Sequence, residues 1–563
     1  MSVGTPPPLP PTPPEPEPEA FELGDFTAET LRLLRELRAV GRRERIRQLL
    51  YAGYVAALFV FAWGGVYALG LFQNSALGAD YTTHRRALLA ALPGGLTALA
   101  LAVLLAVARD ALWRGPVVPP RADVDWLLAQ PVEPARVVRP WFRLSCAVAA
   151  VPGLLGGAVL GVALSLVDRV GAGAAFGWAL TGGVAVPLLA AALGVWVQGS
   201  EAAARAVRRA TPVVGVVLLG LVVQTGFGLA GDRVPGWVER IEEWSGPWGW
   251  SALVALAPSG DGAGGWSWLA LGLLAVLVAG AVVLGDRAAA RLPVPGLRLR
   301  SRQAAAVLVT LRATELRAAR LTMAAAVRGG ERSGGASRRP ARRLPVPRRR
   351  WAAVPWRDAL GLRRAPARVG RALLGAVPAG LLALLATHAR GAAGFLLVVA
   401  ALVCGYLGVA QLAEAARLEA DDPGRGGWAP WPYPDLMVRH IAVPAVVGAV
   451  VLALGAACTA TPAAFALAPA APALAGAAVV NASRGPARQD LLLSAAQLPG
   501  AGAGPVLFLA WYAAGPAVAI AMLSAPLLLV LHGVSAAHLL LLVFLSAAVT
   551  VLTARWARAR ARR

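Results

Sequence analysis

Twelve apolar runs, each close to the ~20 residues that a helix needs to cross the hydrocarbon core of a bilayer, punctuate this 563-residue chain. They fall at 49–72, 87–108, 144–167, 173–198, 212–230, 266–285, 372–388, 393–414, 440–459, 462–482, 504–531 and 535–554. Backbone groups in lipid must be hydrogen-bonded within their own segment, so each run is expected to be a helix and the fold class to be all-α and polytopic. The seventh run is short. The tenth, Ala463 to Val480, is so rich in alanine and proline that it is barely apolar enough.

Only 15% of residues are charged and 57% are hydrophobic, against about 25% charged in an ordinary soluble domain. The net charge of +24 suggests a nucleic-acid binder until its distribution is read. The basic residues sit in the gaps between apolar runs, where they set orientation and contact anionic lipid. With alternate gaps on opposite sides, 48 arginines fall in the tails and even-numbered gaps and 6 in the odd-numbered gaps. That asymmetry puts both termini in the cytoplasm of a multi-pass protein of the cell membrane. The first 23 residues are proline- and glutamate-rich, with no basic segment leading into an apolar core. They read as a disordered tail rather than a signal peptide.

All 54 basic residues are arginine; the chain has no lysine. A Walker A loop needs a lysine ammonium and a Schiff base needs an amine that can lose its proton, so neither chemistry is expected here. The chain is therefore not expected to be an enzyme that hydrolyses ATP, and no cofactor is expected. Cys146, Cys404 and Cys458 lie in or at the ends of apolar runs without C-x-x-C pairing, as inert buried thiols do.

The long gap 286–371 divides the spans six and six. We assign residues 24–285 and 351–563 to the two halves and 286–350 to a basic linker, flexible through its Gly/Ser/Arg/Pro-rich part at 329–350. Each half opens on a basic amphipathic stretch. In the first, Leu33, Leu34 and Leu37 follow helical spacing among arginines such as Arg38; in the second, Trp356 and Arg357 begin the sequence WRDALGLRRAPAR. Such a face suits a membrane surface. Substantial loops separate the second and third spans of each half, at 109–143 and 415–439. The outer gap 231–265 differs in kind, carrying Glu239, Glu242, Glu243 and the tryptophans Trp237, Trp244, Trp248 and Trp250. It reads as short helices in the outer interface.

Candidate chemistry is sparse. Asp123 and Asp125 form a D-x-D, a spacing that holds a metal and sugar nucleotide in glycosyltransferases; helix N-capping competes with that reading. The five histidines show no ligand spacing, and Gly500, Gly502 and Gly504 open a helix with no preceding strand. The clearest polar residues in the spans are Gln198, Gln224, Gln411 and Glu414, which serve either interhelical hydrogen bonding or substrate contact.

On the phrases WLLAQPV and ARVVRP in the first loop, WRDALGLRRAPAR, and VRHIAVPAVVG, the chain resembles the permeases of type-2 ABC exporters. In particular it is similar to an actinobacterial group in which two six-span halves are fused. The resemblance implies an interfacial connecting helix at 25–47, a loop at 121–139 that docks on a separate ATP-binding-cassette ATPase subunit, and a re-entrant outer element at 234–262. Trp126, Leu127, Leu128, Pro131, Arg136 and Arg139 would then be the docking residues; a mere interfacial anchor is the alternative for the apolar three. The second half has only Leu531 to Ser535 between its last two spans, so the implied transporter is asymmetric outside. No nucleic-acid partner is expected. A major-facilitator-like secondary carrier, an enzyme for lipid-linked substrates and a membrane scaffold are the rival readings, the carrier disfavoured by the long loop at 109–143.

Overall fold

The computed structural model describes residues 64–230, 235–259, 265–312, 347–422, 429–459, 461–484 and 503–562, with a few isolated positions between these stretches. The N-terminal tail, the middle of the linker, the glycine run near 500 and most of the first apolar run lie outside the described residues. Among the described residues ten helices are long and apolar enough to cross a membrane. The number is eleven if Ala393–Val409 and Glu414–Asp421, which meet at 62°, count as one span. The chain is an all-α, multi-pass protein of the cell membrane.

The apolar runs from the second to the twelfth each coincide with such a helix, the eighth only when the bent pair is counted as one span. Numbered by run, these are span 2 (Arg85–Asp110), span 3 (Pro134–Val167), span 4 (Ala172–Gly199), span 5 (Glu201–Ala230) and span 6 (Gly265–Ala290). In the second half they are span 7 (Ala367–His388), span 8 (Gly391–Val409), span 9 (Ala442–Ala457), span 10, span 11 (Ala503–His532) and span 12 (Ala536–Ala561). Span 10 enters as a 3₁₀ helix, Pro462–Ala470, and continues as an α-helix, Ala471–Ala482. Its alanine and proline content, unsuited to lipid, is explained by its place. Of its most apolar stretch 72% is buried inside the protein, against 11% for span 5. A helix surrounded by other helices needs small side chains more than hydrophobic ones.

Small residues also set the closest crossings. Gly153, Gly157 and Gly161 repeat every four residues and line one face of span 3. A Cβ on Gly157 would stand 2.7 Å from the Ala179 carbonyl oxygen of span 4, and one on Gly153 would stand 2.6 Å from that of Gly183. Spans 7 and 9 cross in the same way, a Cβ on Gly380 meeting the Gly455 carbonyl oxygen at 2.5 Å.

Buried side chains gather separately in the two halves. Leu402, Leu452, Leu467, Leu474, Leu523 and Leu542 belong to one continuous cluster in the second half. The first half has several smaller clusters, among them one around Phe142 and one around Leu274. Spans 5 and 7 meet between the halves, where Gly226 faces the Leu381 side chain.

Replacing Gly157 by leucine should push spans 3 and 4 apart at an overpacking cost of about 1–3 kcal/mol. The expected result is a lower midpoint of thermal aggregation in detergent, while Gly156→Leu, at a position with open space beside it, leaves the midpoint unchanged.

Candidate functional site

Span 3 starts at Pro134, well before the apolar run does. Proline costs nothing at a first helical position, where its missing N–H has no partner to lose. Arg136, Arg139 and Arg143 therefore stand on a helix. Arg136 pairs with Glu133 at 2.8 Å. Arg139 and Arg143 converge on Asp286 at the end of span 6, at 3.4 and 3.0 Å.

The loop before this helix is folded. A short helix, Arg121–Asp125, leads into a 3₁₀ turn, Leu127–Ala129. Val117, Val124, Leu128 and Val132 share a buried cluster with Phe142, Leu292 and Leu297. Beneath it runs a helix from the beginning of the linker, Val294–Arg312. The Ser301 hydroxyl donates to the Pro119 carbonyl at 3.3 Å, and Arg302 reaches Asp125 at 3.4 Å. Gln198, at the end of span 4, clamps Val117 from both sides: its amide donates to the Val117 carbonyl at 2.8 Å and its oxygen accepts from the Val117 N–H at 3.2 Å. The turn into that clamp passes through Gly115 at φ +80°, where any side chain would be strained and would strike Gln198.

On this platform Leu128 is buried, Leu127 half-buried and Pro131 exposed, while Trp126 is 77% exposed. An indole held out from a folded support is suited to binding a partner. Asp125 is engaged with Arg121 and Arg302, and Asp123 lies in the first turn of a helix entered from Pro120. Among the described residues no group of three or more His, Cys, Asp and Glu side chains is placed to hold a metal.

The second half builds its counterpart from ionic groups. The helix Ala353–Arg364 buries Val354, Asp358 and Leu362, while Trp356 is half-buried. Arg357 donates to Glu419 at 2.7 Å, and His440 meets Asp358 through Nδ1 at 2.6 Å. The Arg357 guanidinium also lies 3.5 Å from His440 Nε2. Asp358, Glu419 and His440 are all buried. These three escape a reading of the sequence, although Asp358 stands one turn from both Val354 and Leu362, which marks it as core-facing. The start of span 9 is tied to the end of span 12 by Asp435 and Arg558 at 2.8 Å. In the first half Leu33 is exposed and Arg32 pairs with Glu36 at 3.2 Å. Leu34, Leu37 and Arg38 lie outside the described residues.

Of the four polar residues expected in spans, Gln411 and Glu414 instead lie just past the end of span 8, where the chain bends by 62° before Glu414–Asp421; Gln411 bonds the Leu407 carbonyl at 3.2 Å and Glu414 pairs with Arg417 at 3.3 Å, both within one turn. Gln224 instead reaches across to Glu242 of the outer element at 2.6 Å. Between the halves, spans 2, 5 and 7 border an open apolar groove of about 420 Å³ lined by Gly95, Leu99, Val222, Leu381 and Leu385 among others. Thr225, also in its wall, spends its hydroxyl on the Leu221 carbonyl at 2.7 Å.

A bundle with an apolar groove at the junction of its halves and folded loops at one end is the build of a polytopic membrane protein of the transport type. Compared with models of known families, with curated proteins and with solved structures, the chain matches none.

Replacing Gln198 by leucine should leave the Val117 N–H and carbonyl without partners, at about 1–3 kcal/mol for each buried group. Amide exchange across 111–120 should accelerate in the variant while exchange in the membrane part of span 4 stays slow.

Proposed function

We propose that the chain is the transmembrane permease of an ABC-type exporter, driven by a separate ATPase subunit that docks on the loop between spans 2 and 3. The observation that carries this reading is Trp126, 77% exposed on a loop whose root is buried and braced by Arg302 and Gln198. An ATPase that closes around ATP does mechanical work on a membrane domain only through a stiff contact. A flexible loop would absorb the motion; this one is anchored to spans 3, 4 and 6 and to the linker helix. The resemblance in WLLAQPV and ARVVRP points the same way, and the absence of lysine assigns ATP hydrolysis to the partner. The groove between the halves supports transit of a substrate with an apolar part, since its wall offers no free polar group.

Affinity purification of the tagged protein in mild detergent should recover a soluble ATPase. The double variant W126D/L127D should lose it, with a binding penalty of at least about 2 kcal/mol and an unchanged elution volume. A clean permease without ATPase would favour the carrier or the scaffold.

A further inference from the structure

The outer element is a hairpin of two helices, Gly236–Trp244 and Pro247–Ala255, that turns at Gly246 with φ +151°. Its second helix packs among spans 2, 4 and 6, burying Gly249, Ser251, Ala252, Val254 and Ala255. Its first helix presses one acid inward. Glu242 is only 7% exposed. Its Oε2 accepts from the Gln224 amide of span 5 at 2.6 Å, and Thr97 of span 2, itself 2% exposed, is its other polar neighbour. Its Oε1 is wholly buried with no hydrogen-bond partner.

Among the described residues Glu242 belongs to no ion pair. Among the described residues the charged groups near it, Glu239, Arg240 and Glu243, are on its own helix, and Arg240 acts on Glu243. The second hairpin helix contains no ionisable residue. Spans 2 and 5 carry theirs at their ends, with Gln224 and Thr97 as the polar groups that face the acid. A carboxylate sealed from water without a cation is costly and is relieved by taking a proton.

We propose that Glu242 is a proton-binding site whose occupancy decides whether the outer hairpin stays docked against spans 2 and 5. Burial pushes the carboxyl above its ordinary range, against the hydrogen bonds from Gln224 and Thr97, and Glu239 adds to the rise. The sign follows from proton counting: the docked hairpin holds a proton that the undocked hairpin releases at the ordinary carboxylate value. Docking is therefore fully favoured below that value and is lost as pH rises through the raised one. Within this window the opening constant grows about tenfold per pH unit for one proton. Neither the site nor its sign depends on the ATPase partner.

The test uses the full-length protein in nanodiscs, where both faces meet the buffer. Amide exchange of 236–258, corrected for intrinsic rates, is followed against pH, together with the infrared band of a protonated carboxyl. Wild type should open about tenfold more per pH unit across the window and lose the carboxyl band in parallel. Glu242→Gln, neutral at every pH, should give a flat profile without that band. Gln224→Leu removes a donor to the ionised form and should move the window to higher pH, which keeps the test decisive if Glu242→Gln does not assemble. A pH-independent wild-type profile, a Glu242→Gln profile as steep as wild type, or an unmoved window in Gln224→Leu would each overturn the proposal.

Discussion

Helices already in hydrocarbon have no water to expel from between them, so their association rests on dispersion contacts and on how closely their backbones approach. The closest crossings in this bundle depend on that constraint. Gly153 and Gly157 bring span 3 against the carbonyls of span 4, and Gly380 and Gly455 do so for spans 7 and 9. Span 10 takes the idea furthest, exchanging hydrophobicity for compactness and sitting at the centre of the second half. The rest of the architecture is arranged around these contacts: bulky side chains are turned toward lipid, as Val216 and Phe544 are, and polar work is moved to the two ends.

At the cytoplasmic end, as the arginine distribution assigns it, charge takes over from packing. The first half holds its loop with a carboxamide clamp, a helix from the linker and an arginine pair on Asp286. The second half holds its own with Arg357, Asp358, Glu419 and His440. These are different chemistries for the same mechanical requirement, a surface that does not yield.

The spans were legible because a stretch of about 20 apolar residues has one meaning in a membrane protein. Even the doubtful tenth run is a helix, and its weak hydropathy reports burial. The site was legible only in part. Trp126 is marked in the sequence only through the phrase WLLAQPV, and its support is not readable there, because Gln198 and Val117 are 81 residues apart and Arg302 and Asp125 are 177 apart. The same holds for His440, which is 82 residues from Asp358. Sequence periodicity reports which way a residue faces; it does not report whom it meets. The outer element shows the difference well, since its tryptophans announce an interface while Glu242, the acid that turns inward, looks like its neighbours Glu239 and Glu243.

The ion pairs at the base of each half occupy the same place in the two halves, joining the head of the third or ninth span to the tail of the sixth or twelfth. Their polarity is reversed. In the first half the third span brings arginine and the sixth brings aspartate; in the second, Asp435 precedes span 9 and Arg558 ends span 12. A third span that joined the wrong tail during insertion would set Arg143 against Arg558, and Asp435 against Asp286. Like charges would then face one another where attraction is needed. Two halves of one layout, made on a single chain, thus carry a built-in distinction between self and sibling while they assemble.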